Sequence, residues 1–152
     1  LLLFSLGHVA ACSGGDPLPP WRRAVTALER HKEGELATEG QVLFELGVWQ
    51  ADRAMPEQGA YDVDIVEEAA LALEHAADRF SRARSRLASG AEAARRAEMA
   101  RRELQAHAAL AGLLCSLGET CDAGRVLEAS AYLLDSAPER PVPAQAEDWA
   151  AP

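Results

Sequence analysis

Between residues 66 and 114 the apolar positions recur three and four residues apart, the spacing of one face of a helix. Val66, Ala69, Leu73, Ala76, Phe80, Ala83 and Leu87 form one stripe, and Ala93, Ala97, Ala100, Leu104, His107, Ala111 and Leu114 form a second. Only Ser89-Gly90 separates the two helices they predict, near residues 65–88 and 90–117, so the pair folds back as a long antiparallel hairpin. Its arms would be roughly 36–42 Å long. The alternation is heptad-like, and by itself it leaves open whether the stripes pair within one chain or between two.

Start signals fix the other boundaries. Thr38-x-x-Gln41, Asp64-x-x-Glu67 and Ser89-x-x-Glu92 each place a capping side chain three residues ahead of an acid or amide. With Pro19-Pro20 ahead of Trp21 and Asp122 ahead of Ala123, they predict five helices, near residues 20–34, 39–55, 65–88, 90–117 and 123–136. Leu110, Leu113, Leu114 and Leu117 widen the apolar arc before Gly118, which is placed to supply a left-handed cap. Val126, Leu127, Leu133, Leu134, Val42, Leu43, Leu46 and Trp49 are the residues available to cover that arc, which puts the expected core at that end. From Pro138 onward the chain is rich in proline and acid and predicts a loose tail over 138–152. The expected fold is all-α, a helical bundle or degenerate helical-repeat module spanning 21–137.

Composition agrees with helices and excludes other classes. Of 152 residues, 32 are alanine and only 5% are aromatic, a balance that suits closely packed helices and argues against an all-β fold. The net charge of −9 repels phosphate backbones, so a nucleic-acid partner is not expected. That charge is unevenly spread. Residues 16–70 carry 12 acids against 5 bases and residues 106–152 carry 7 against 2, but residues 71–105 carry 5 acids against 8 arginines. The basic stretch flanks the hairpin turn, and Arg95, Arg96, Arg101 and Arg102 are the candidate partner-binding residues. The plainer reading is a solvated face with i,i+4 pairs such as Glu92 to Arg96 and Glu98 to Arg102.

The chain opens with an apolar run, Leu1-Leu2-Leu3-Phe4-Ser5-Leu6-Gly7-His8-Val9-Ala10-Ala11-Cys12, well short of the roughly 20 residues a membrane-spanning helix needs. Such a run ending in small residues matches the later part of a secretory signal peptide, whose charged start is then expected upstream of Leu1. Val9-Ala10-Ala11-Cys12 resembles the lipobox of bacterial lipoproteins. The resemblance implies removal of residues 1–11, a diacylglycerol on Cys12, a flexible tether over 12–20 and, with Ser13 in place of Asp after the cysteine, sorting to the outer membrane. An ordinary signal peptide cleaved near Ala11 is the alternative, and both imply export.

Templates for chemistry are missing from the sequence. No Glu precedes His31, His75 or His107 by three residues, and there is neither a His-Glu-x-x-His pair nor a Gly-x-Ser-x-Gly elbow, so no catalytic residue, cofactor or metal site is expected. Glu67, Glu68, Glu74 and Asp78 read as a solvated helix face. Cys115 and Cys121 bracket a helix-to-helix turn and are the candidate disulfide in an oxidising compartment, the alternative being two buried thiols. His107 on the stripe, one turn after Glu103, reads as a hydrogen-bonded core residue able to make packing pH-sensitive.

Ala76-x3-Phe80-x2-Ala83 and Leu46-Gly47-x-Trp49 resemble parts of a tetratricopeptide repeat, as does the stretch from Val126 to Pro138. The match departs from that family in spacing, since Gly47 precedes Ala76 by 29 residues and Ala88 stands where the closing proline belongs. The resemblance implies protein interaction rather than catalysis. The sequence therefore predicts a lipid-anchored envelope protein, facing the periplasm and acting as a helical interaction or assembly module for an envelope partner. A ligand-binding or sensing bundle, with Trp49, Phe80 and His107 lining a pocket, is the alternative.

Overall fold

A computed structural model of the chain describes residues 2–30, 35–54, 60–88, 90 and 92–136. Among them are seven α-helices and no strand: α1 Leu2–Cys12, α2 Leu18–Arg30, α3 Leu36–Ala54, α4 Val63–Arg86, α5 Ala93–Ser116, α6 Thr120–Ser130 and α7 Leu133–Ser136. The fold is all-α, and α4 and α5 form the expected antiparallel hairpin, each with 24 residues and so about 36 Å long. The tail from 137 lies outside the described residues.

The caps differ in detail from the sequence reading. Asp62, rather than Asp64, starts α4, its Oδ1 accepting from the backbone N–H groups of Asp64 and Ile65 at 3.1 and 3.3 Å. Ser89 lies outside the described residues, and its intended partner Glu92 accepts from the Ala88 N–H at 2.8 Å. Thr38 falls inside α3, its hydroxyl turned back to Glu35 at 2.8 Å. The single helix expected over 123–136 is split after Ser130, and the break is what lets Tyr132 reach α5 while Leu133 buries completely.

The core takes in Val42, Leu43, Leu46, Leu110, Leu113 and Leu133 as expected, but it extends along α2, α3 and α4 as two clusters. One cluster joins Trp21 and Ala24 of α2 to Val42 and Leu46 of α3 and Ala72 of α4. The second joins Leu43 of α3, Ala76, Ala77 and Phe80 of α4 and Ala106 of α5. Leu127 and Leu134, expected to cover the end of α5, are exposed. What draws α3 against α4 is a pair of glycines seven residues apart. A Cβ at Gly47 would lie 2.7 Å from Leu73 Cγ, and one at Gly40 would lie 2.9 Å from the Phe80 ring, so only glycine allows this approach.

The α4 stripe holds as far as Phe80, whereas the α5 stripe is rotated. Ala93 is exposed and Ala97, Leu104, His107 and Leu114 are half-buried; Ala100 and Ala111 of the stripe are buried as expected, and Glu103, Ala106, Leu110 and Leu113 complete the buried face. The rotation places a carboxylate in the core. Within the chain α4 packs on both α3 and α5, so the stripe is satisfied without a second copy.

Candidate functional site

Arginine supplies the chemistry of the hairpin, and the structure sorts the arginines into two sets. The inner set is neutralised. Glu103, only 2% exposed, accepts from Arg84 Nε at 2.9 Å through Oε2 and from the Tyr132 hydroxyl at 3.1 Å through Oε1. Arg84 also donates to the Tyr132 oxygen at 3.3 Å, and its guanidinium lies 5.7 Å from that ring's centroid. Helices α4 and α5 and the turn between α6 and α7 meet at this carboxylate, and its Arg84 bond raises the guanidinium's pKa above the ordinary value. Arg79 is held likewise, donating through Nε to the buried Glu39 at 2.7 Å and through Nη1 to Asp78 at 2.6 Å. The Glu39 bond raises its pKa in turn.

The outer set faces water. Arg86 at the end of α4 and Arg96 at the start of α5 are exposed and form no ion pair among the described residues. Arg95 is 79% exposed at its side chain and approaches Glu92 only to 4.0 Å; Arg82 lies 3.6 Å from Asp78. The first turn of α5 contains no acid, and its N-cap residue Glu92, which makes no side-chain cap, sets one carboxylate beside the arginines at this positive helix end.

The four candidates from the sequence are thus divided. Arg95 and Arg96 belong to the exposed end, but Arg101 and Arg102 do not. Both pair with Glu98, and Arg102 Nη1 also donates to Gln41 Oε1 of α3 at 3.0 Å, which ties it to the bundle's flank. Arg86, one of the arginines that flank the turn in sequence, is exposed like Arg95 and Arg96.

Other sequence candidates fall as follows. Cys115 and Cys121 are free and exposed, so the candidate bridge is not formed here. Their side chains stand off the packing faces, where Leu113 on α5 and Ala123 on α6 are the buried neighbours. Cys12, at the end of α1, is also free and exposed. Phe80 is packed in the second core cluster, Trp49 meets Trp21 edge-to-face at 6.5 Å beside the first, and His107 is half-buried. Burial pushes the His107 pKa below its ordinary range, against an opposing pull from Glu103. An open groove of about 300 Å³ lies on another face, lined by Val48, Ala51, Asp52, Leu73, Ala109, Leu113 and Ser116.

Among the described residues no group of three or more His, Cys, Asp or Glu could hold a metal ion, and no helix is long and apolar enough to cross a membrane. Glu67, Glu68, Glu74 and Asp78 are exposed, with Glu68 taking Arg22 at 2.5 Å and Gln50 at 2.6 Å. The chain matches no family model, no curated protein and no solved structure.

Proposed function

We propose that this chain is the helical domain of a bacterial lipoprotein, anchored through Cys12 to the periplasmic face of the outer membrane, and that it serves as a docking or assembly module for an acidic envelope protein. The observation that carries the docking role is the cationic hairpin end, where Arg86, Arg95 and Arg96 stay in water while their neighbours are neutralised by buried acids. A desolvated patch of the opposite sign on a partner would complement it and speed association.

Anchoring is supported by Val9-Ala10-Ala11-Cys12 and by the character of α1. That helix has no polar face, and Leu6 and Val9 stand 49% and 65% exposed on its outer side. An apolar helix with its outer side bare suits a segment destined for removal or for lipid better than a permanent surface helix. Cys12 lies shortly before the start of α2, which packs by Trp21 against Leu46 and Trp49 beside Ala72 of α4. Arg86 lies further along α4, about 21 Å from Ala72. The close α3–α4 pair, with Gly47 against Leu73, supports the likeness to a helical-repeat module.

The test expresses the whole chain in a bacterium with an outer membrane. Cys12 is expected to gain the mass of a diacylglycerol, and Cys12→Ser to abolish both that mass and fractionation with the outer membrane. A partner cross-linked to the anchored protein should be lost on the triple reversal of Arg86, Arg95 and Arg96 to Glu and kept on reversal of Arg101 and Arg102. Cross-linking indifferent to the triple reversal would defeat the docking role.

A further inference from the structure

The α1 helix covers an unusually aromatic surface. Trp21, 2% exposed, lies directly against the backbone of Gly7, where any added Cβ would overlap the indole. His8 meets the same ring edge-to-face at 5.6 Å, and Leu3 packs into the cluster beneath it. Leu18, Leu28 and Trp49 complete the apolar surface, and Arg53 sits over the Trp49 ring at 4.7 Å. On α2 the residues between these apolar positions are polar, with Arg22 and Arg23 exposed beside Trp21.

This inference rests on the anchoring reading above. Cleavage after Ala11 removes Leu3, Gly7 and His8 together, and so uncovers Trp21 on a chain whose Cys12 carries the lipid. Six residues separate Cys12 from Leu18, a reach of about 20 Å at most, so the acyl chains hold the uncovered face at the bilayer surface. We propose that the Leu18–Trp21–Trp49 face is a membrane-seating surface, which replaces the leader helix with the phospholipid interface once the leader is cut.

The chemistry of the face fits that occupant. An amphipathic helix with tryptophan and leucine on one side lies in the interfacial plane with the ring at headgroup depth; Arg23 beside it reaches the lipid phosphates, while Arg22 stays paired with Glu68. Residues 16–70 carry 12 acids against 5 bases, which disfavours attraction to net-anionic lipid. The seating is therefore apolar and aromatic in origin, and it operates on zwitterionic lipid. It also turns a one-point anchor into a two-point one, which fixes how the arginine end is presented to a partner.

The test uses the processed, acylated protein purified from cells, its mass reporting the lipid on Cys12. It is reconstituted in phosphatidylcholine vesicles that contain a phospholipid with a photoactivatable acyl chain, and the adducts are mapped by mass spectrometry. Adducts at Leu18, Trp21 and Trp49, with none at the Arg86–Arg96 end and undiminished yield in high salt, are the expected result. Trp21→Ser should lose most of the yield at Leu18 and Trp49. Acylated protein with no adduct on this face overturns the seating and leaves the anchoring intact. If the face is also shielded from an aqueous radical label, a second copy or another segment of the chain covers it instead. An unmodified Cys12 overturns both readings.

Discussion

The arginines of the α4–α5 hairpin divide into two populations that differ in what surrounds them, not in sequence. Arg84 and Arg79 are 15% and 22% exposed at their side chains and each meets a carboxylate taken almost entirely out of water. Arg86, Arg95 and Arg96 lie within one or two turns of them and are bathed in solvent. The first population answers a problem of folding, since a buried acid without its partner is costly. The second answers none, because exposed ion pairs contribute little and Arg86 and Arg96 have none among the described residues. Charge held in solvent where stability does not need it is the observation on which the proposed docking role rests.

The sharpest way to break the comparison is at Arg84. Arg84→Met leaves Glu103 buried and uncompensated, and should destabilise the domain by about 3–5 kcal/mol in denaturant unfolding. Adding Glu103→Leu should recover most of that loss, since a buried pair replaced by apolar groups is often neutral. Failure of the double variant to recover would mean that the pair has another role. Tyr132→Phe removes one hydrogen bond to the same carboxylate and should cost about 1–2 kcal/mol, with faster amide exchange in α6 and α7 as its second sign.

His107 tests the same region through pH. Its folded-state pKa is lowered by burial, so the unfolded chain binds its proton more readily. The stability tied to the neutral ring is present above the unfolded value near 6.5 and is lost as pH falls through the folded value. A His107→Gln variant should therefore show a shallower loss of stability on acidification below about pH 6.5. An unchanged slope would assign the acid sensitivity elsewhere.

The smallest effect on stability is expected at the hairpin end. Reversing Arg86, Arg95 and Arg96 to Glu should move the unfolding free energy by no more than about 0.5 kcal/mol per site. The same change should abolish salt-sensitive association with the partner. A large loss of stability there would show that the two populations are one.

The sequence carried the fold class and the hairpin because both depend on local period. Alanine and leucine at spacings of three and four, broken at Ser89-Gly90, specify two long helices that must turn back. It carried the exposed Arg95 and Arg96 as well, although it grouped them with Arg101 and Arg102 on adjacency alone. The stripe on α5 was misread by about one residue, since a count of apolar positions assigns Glu103 to the outside. A charge enters a core only where partners from other helices converge on it, and those partners, Arg84 and Tyr132, lie 19 and 29 residues away.

What the sequence determined by itself is therefore helical content, the hairpin, the uneven charge and the likeness of residues 9–12 to a lipobox, all of which are local patterns. Tertiary structure alone decided which arginines are neutralised, that Gly40 and Gly47 set the spacing of α3 on α4, that Cys115 and Cys121 face away from the packing, and that α1 covers Trp21. Each depends on the rotation of one helix about its axis relative to its neighbours. That rotation is set by the sum of many side-chain contacts across the bundle, and no short window of sequence contains them.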